Sequence, residues 1–153
     1  MVGHPKVGDA APDFSLPGWY DGEVRQFTLS AEIGHPVILV FYPQDGGPIC
    51  VEQLTAYSDE LATLTATGAR IWGLSPQNLA SKAAFAGMHG FKLPLLADTG
   101  GEVGEAYGVD DGSGPRRAVF IVDATGTMAW SHISNGNLRY RSPAELAAAV
   151  ASV

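Results

Sequence analysis

The 153-residue chain holds one cysteine, Cys50, so no disulfide can form within it. That excludes the disulfide-stapled scaffolds of small secreted proteins and suits a reducing compartment. Basic residues are scarce: nine Lys and Arg against sixteen Asp and Glu leave a formal charge of −7. A general nucleic-acid binder needs clustered Lys and Arg to displace counterions, so no nucleic-acid partner is expected, and an anionic membrane surface is disfavoured for the same reason. No run of 18 apolar residues exists to span a bilayer, and Met1–Ala11 has no apolar signal core. No membrane association is expected, and the expected location is cytoplasmic. His4, His35, His89 and His132 lack ligand spacing, so with a single thiol no metal site is expected. Neither Gly46-Gly47 nor Gly100-Gly101 is followed by the Gly-Lys-Ser/Thr of a phosphate loop, and no other cofactor is expected.

What is present is an ordinary globular composition, 46% apolar and 16% charged. A chain of this length buries roughly 70% of its unfolded surface and fits a single domain over residues 1–153. Met1–Ala11 reads as an extended arm, Asp13–Leu16 as a short strand, Pro17–Glu23 as a turn carrying Trp19 and Tyr20, and Val24–Leu29 as a hairpin partner. Ser30 is a candidate N-cap for a helical turn at Ala31–Ile33 that Gly34 stops. Val37–Tyr42 is a run of six apolar residues, the pattern of a strand buried on both faces. A helix is expected from Ile49 to Ala66, with Leu54, Tyr57, Leu61 and Leu64 on its apolar stripe and Gly68 as its stop.

Arg70–Leu74 predicts the next strand, and Pro76 and Asn78 open a helix to Met88, ended by Gly90. Leu93–Ala97 reads as a short strand or an extended segment, Glu102–Tyr107 as a helical turn, Asp110–Pro115 as a loop, and Arg117–Val122 and Thr127–Ile133 as a hairpin about Ala124-Thr125-Gly126. Ser142, Pro143 and Glu145 have the N-cap, N1 and N3 positions of a terminal helix. The alternation predicts an α/β fold: a central mixed β-sheet with parallel pairs, helices on its faces and antiparallel edges. Phe41, Trp72 and Phe120 read as core.

Cys50 falls where the buried strand gives way to the long helix. Ligands of open α/β sheets bind at the carboxyl ends of strands, and the first turn of a helix offers unpaired N–H groups and a partial positive charge. Both favour a thiolate, the nucleophilic form of cysteine. The competing reading is an inert, buried small hydrophobe. A Cys–His hydrolase fits poorly because no His is placed as a base, and Cys50-Val51-Glu52-Gln53 lacks the second thiol of a Cys-x-x-Cys oxidoreductase. Asp45 and Glu52 flank the thiol and are expected to point to solvent.

The segment from Phe41 to Cys50, Phe-Tyr-Pro-Gln-Asp-Gly-Gly-Pro-Ile-Cys, resembles the active-site stretch of the peroxiredoxins, Pro-x-x-x-Thr/Ser-x-x-Cys. It is most similar to the bacterioferritin-comigratory-protein branch. The resemblance extends through Val7–Phe14, Trp72–Ser75, Phe91–Asp98, Tyr107–Val109 and Arg117–Asp123, all in the family's order. It implies a thioredoxin-like fold with an N-terminal hairpin extension. It also implies a thiol-dependent peroxidase reducing hydrogen peroxide or organic hydroperoxides. Cys50 matches the thiol that becomes a sulfenic acid, Pro43 the proline that covers it, and Arg117 the arginine that stabilises thiolate and peroxide. Arg116 is adjacent, and in a strand only one of the two can face the sulfur.

Three positions depart from the pattern. Gly47 replaces the Thr whose hydroxyl orients the peroxide, so slower reduction than in a Thr-bearing relative is expected. Gln53 stands where most of the family has Glu, and it and Tyr42 are supporting candidates. Thr55 stands where the branch often has a resolving Cys, so the sulfenic acid needs an external thiol: thioredoxin, a glutaredoxin-like protein or a low-molecular-weight thiol. A monomer or homodimer is expected. Two other readings stay open: a thioredoxin-fold redox sensor or binding protein with weak turnover because of Gly47, and a purely structural module whose thiol has ordinary acidity.

Overall fold

A computed structural model describes residues 4–112, 114–134 and 139–153. Met1–Gly3 of the expected arm and Ser113 of the Asp110–Pro115 loop lie outside them. Among the described residues seven strands form one mixed sheet, in the order β2-β1-β5-β4-β3-β6-β7. An interior strand, β3 (Val37–Phe41), is buried throughout, as its uninterrupted apolar run requires. It pairs in parallel with β4 (Arg70–Ser75), which pairs in parallel with β5 (Leu95–Ala97). On its other side it runs antiparallel to β6 (Ala118–Val122), which continues into the edge strand β7 (Met128–Ile133). The hairpin of β1 (Ser15–Tyr20) and β2 (Glu23–Thr28) joins the sheet through β5.

Strand alternation sorts the core onto two faces. Ile38 and Val40, with Tyr42 beyond the strand end, point to one face. There they meet α1 (Pro48–Asp59), α3 (Leu79–His89) and α5 (Pro143–Ala151) through Leu54, Tyr57, Phe85, Leu146 and Val150. Val37, Leu39 and Phe41 point to the other, against Trp72, Phe120 and Val103 of α4 (Glu102–Ala106). Burial of these apolar side chains on both faces is the main stabilising term. The helix ends follow their local signals. Asn78 accepts from the backbone N–H of Ser81, Gly90 ends α3 in the left-handed region, and Ser142 and Glu145 form the expected capping box.

Three expectations fail. Pro17–Tyr20 belongs to β1, and the turn shrinks to Asp21-Gly22. Gly18 is there for space: a Cβ would lie 2.8 Å from a ring carbon of Phe27 across the hairpin. Trp19 is accordingly half-buried and packs on the core. The helix expected over Ile49–Ala66 is two pieces, α1 and the short α2 (Leu61–Leu64), separated at Glu60 with φ −102° and ψ 21°. Thr63 within the second piece and Thr65 at its C-cap disfavour its extension, since β-branched side chains lose rotamer freedom in a helix. Ser30 is no N-cap; it sits inside a 3₁₀ turn, Leu29–Glu32, with its N–H donating to Asp13.

Candidate active site

β3 ends at Phe41, and the chain turns through Pro43–Gly47 before α1 begins. Gly46 has φ +87°, where residues with a Cβ are strained, so the turn needs a glycine at this point. Gly47 is the N-cap residue with φ −65° and ψ 141°, a conformation open to any side chain. Pro48 follows at N1, as its missing N–H allows. Cys50 lies two residues further on, in the first turn, only 2% exposed.

Arg117 immediately precedes β6 and keeps that strand's alternation. Its side chain shares the face of Val119 and Ile121, where α1 packs. Its Nη2 donates to Cys50 Sγ at 3.4 Å, and its Nη1 donates to Gln53 Oε1. Arg116 points away and donates to the backbone oxygen of Ser134 at 2.9 Å. The choice between the adjacent arginines is thereby made: Arg117 faces the thiol. Gln53 is fully buried and donates through Nε2 to Tyr57 Oη at 3.3 Å. A guanidinium beside the sulfur and the N-terminal end of α1 both stabilise negative charge there.

A second polar cluster grips the loop from the side of β4 and α3. Lys82 of α3 is fully buried, and its Nζ donates to Asp45 Oδ1 at 3.0 Å, to Tyr42 Oη at 3.3 Å and to Ser75 Oγ. Asp45 also accepts from Tyr42 Oη at 2.8 Å and Ser81 Oγ at 2.6 Å. Gln77 Oε1 accepts the backbone N–H of Asp45 at 3.0 Å. The expectation that Asp45 points to solvent is therefore wrong: its side chain is 5% exposed, held inward by the charge of Lys82. Glu52 does remain exposed, accepting from Tyr140 Oη at 2.8 Å. Burial pushes the Tyr42 phenol well up, with the Asp45 charge adding to it, so Tyr42 stays a donor. Burial pulls the Lys82 ammonium down, against the opposing pull of Asp45.

Of the residues singled out in the sequence, Cys50, Arg117 and Gln53 are in direct contact, and Gly47 starts the same helix. A Cβ at Gly47 would lie 3.6 Å from Cys50 Sγ, in ordinary contact. Tyr42 belongs to the second cluster. Pro43 sits half-buried beside it, its carbonyl accepting from Gln77 Nε2 at 3.5 Å. Lys82 and Tyr57 join the site from positions that the sequence motifs do not mark. The signal for Lys82 is its place on the buried stripe of α3 with Phe85 and Ala86, spaced i, i+3, i+4. The signal for Tyr57 is its spacing of four from Gln53 and seven from Cys50 on one helix face. Among the described residues no group of three or more His, Cys, Asp and Glu could hold a metal ion, and no helix is long and apolar enough to cross a membrane.

A thiol in the first turn of the helix after a central strand, faced by a guanidinium from the antiparallel neighbour, suits a thiol-dependent enzyme of thioredoxin-like fold. The model of the AhpC/TSA family matches residues 7–131. The chain is 33% identical over 138 residues to the putative peroxiredoxin ycf42 of Porphyra purpurea, covering 85% of this chain and 69% of that protein. It is 32% identical over 133 residues to the chloroplastic peroxiredoxin Q of Triticum aestivum, covering 85% of this chain and 60% of that one. In structure it matches Enterococcus faecalis AhpC with a TM-score of 0.89 at 25% identity, over 97% of this chain and 92% of that chain. The reduced 2-Cys peroxiredoxin of Plasmodium vivax shares the fold, with a TM-score of 0.88 over 95% and 94% of the two chains at 24% identity. The chain belongs to the AhpC/TSA family and is a thiol-dependent peroxidase of the peroxiredoxin class.

Proposed function

We propose that this peroxidase works by a one-Cys cycle on Cys50, over a single domain spanning residues 1–153. The observation that carries the reading is the 3.4 Å approach of Arg117 Nη2 to Cys50 Sγ at the start of α1. The thiolate sulfur attacks the nearer oxygen of hydrogen peroxide or an organic hydroperoxide. An S–O bond forms, the O–O bond breaks, and the departing oxygen takes a proton and leaves as water or alcohol. The sulfur is oxidised to a sulfenic acid. An external thiol then displaces water to give a mixed disulfide, and a second thiol releases Cys50 and leaves as a disulfide. Thioredoxin, a glutaredoxin-like protein or a low-molecular-weight thiol could serve as reductant. Arg117 holds the thiolate and the attacked peroxide, Gln53 holds Arg117, and Pro43 shields the sulfur. Tyr42 ties the loop through Asp45. Gly47 offers no hydroxyl to the peroxide, which slows the step.

A reducing compartment such as the cytoplasm suits a lone catalytic thiol; cell fractionation tests that location. Light scattering distinguishes a monomer of 16.0 kDa from a homodimer of twice that mass. The reaction itself is tested by mixing reduced protein with hydrogen peroxide in stopped flow, following tryptophan fluorescence and thiol loss. Reaction much faster than that of free cysteine, absent in Cys50→Ser, is expected. A rate equal to free cysteine, or unchanged in Cys50→Ser, defeats the assignment.

A further inference from the structure

Cys50, Gln53 and Tyr57 share one face of α1, and a chain of hydrogen bonds runs along it with only one consistent direction. Tyr57 Oη lies 2.6 Å from the backbone oxygen of Arg141, the residue before the cap of α5. A carbonyl only accepts, so the phenol commits its single proton there. Its oxygen is left to accept, and Gln53 Nε2 donates to it at 3.3 Å. An amide with its NH₂ turned to Tyr57 presents its oxygen the opposite way, to Arg117 Nη1. The other arm of that guanidinium is the one 3.4 Å from the sulfur.

We infer that Tyr57 is a positioning residue of the peroxidase reaction: it locks the Gln53 amide in the orientation that aims Arg117 at Cys50, anchored on the backbone carbonyl of Arg141. The inference rests on the reading of Cys50 as the peroxide-reducing thiol. With the amide flipped, its NH₂ would face the guanidinium, donor against donor. Gln53 and Tyr57 are 0% exposed and Arg117 3%, so water has little access to repair such a mismatch. Burial raises the Tyr57 phenol far above its ordinary value, which keeps it a donor at every physiological pH. A carboxylate at position 53 would need no such help, since both its oxygens accept and either can meet Arg117. The lock is required because residue 53 is Gln.

The test is a four-protein cycle: wild type, Tyr57→Phe, Gln53→Glu and the double variant. Each is assayed for its second-order rate with hydrogen peroxide and for alkylation of Cys50 by iodoacetamide at pH 7. Tyr57→Phe is expected to slow both reactions about tenfold when residue 53 is Gln and less than about twofold when it is Glu. Melting temperatures should fall in both backgrounds, because the bond to Arg141 is lost in each, and further when residue 53 is Gln, whose buried NH₂ also loses its acceptor. An equal loss of rate in both backgrounds would mean that Tyr57 acts only through packing, and no loss in the Gln background would mean that it does not act; either overturns the inference. Failure of the peroxidase reading shows separately, as a wild type that is inert to peroxide, and the alkylation arm then decides the role of Tyr57.

Discussion

Two buried polar clusters flank the loop that presents Cys50, and they are built on opposite principles. In one, Lys82 and Asp45 answer each other's charge, and the hydroxyls of Tyr42, Ser75 and Ser81 complete the set. In the other, one arm of Arg117 is spent on a neutral amide and the second faces the sulfur. A buried charge whose counter-charge is structural makes an anchor, because breaking the pair leaves an uncompensated ion out of water. A buried cation directed at a reactive atom gains most when that atom becomes an anion, which is what a catalyst needs. The loop is thus tied down from the β4–α3 side and activated from the β6 side.

This contrast predicts a crossed pattern of defects, and its arms carry the largest expected effects. Lys82→Met should lower stability by about 3–5 kcal/mol, because Asp45 stays buried without its partner. The rate with peroxide per folded molecule should change less than about tenfold. Adding Asp45→Leu should recover much of the stability. Arg117→Met should do the reverse, lowering the peroxide rate by about 100- to 1000-fold while Lys82 and Asp45 keep their pairing. Urea unfolding and stopped flow on the same samples read both axes. Equal losses on both axes for both variants would dissolve the distinction.

A middle-sized effect sharpens the activated side. Gly47→Thr places a hydroxyl on the N-cap residue next to the sulfur, in a backbone conformation that Thr adopts before a proline. The nearest atoms to the new Cβ, at 3.5–3.6 Å, leave room for it. The peroxide rate should rise about 10- to 100-fold, with little change in melting temperature, since Gly and Thr are comparable N-caps. An unchanged rate would show that the loop already orients peroxide without the hydroxyl.

The smallest effect concerns the far end of the activated network. His132 Nδ1 lies 3.2 Å from the Arg141 side chain, and burial, then the Arg141 charge, holds its imidazole below the ordinary range. The unfolded chain therefore takes up this proton first on acidification. Stability is unaffected by this group above about pH 6.5 and falls as the pH drops below it. Melting curves between pH 7.5 and 5.5 should fall less steeply in His132→Gln than in wild type. Parallel curves would show that His132 does not contribute to the pH dependence of stability.

The site was legible where its chemistry is local. The apolar run of β3, the Gly46 turn and the helix that follows place Cys50 from contiguous residues, and alternation along β6 limits the choice to Arg116 or Arg117. The inward turn of Asp45 is not legible from its sequence neighbours, Gln44 and Gly46, which are loop residues; it depends on a lysine 37 positions away. Pro17 and Gly18 have the residue types of a turn, and nothing near them in sequence shows that the Phe27 ring needs the space above Gly18. Tyr57 looked like one more apolar-stripe residue of α1, and it is one, with a hydroxyl whose partner lies 84 positions on.

Local periodicity, cap residues and one glycine turn were enough to set most of the strands, most of the helices and the place of the thiol, because each is decided by residues within a few positions of one another. Which cation would face the sulfur, and which would only tie down the loop, was decided by the sheet order β4-β3-β6. That order sets Lys82 on one side of the Cys50 loop and Arg117, 67 residues from Cys50, on the other. Such neighbours arise when strands distant in sequence pair over a common core, and no pattern of period 2 or 3.6 encodes them.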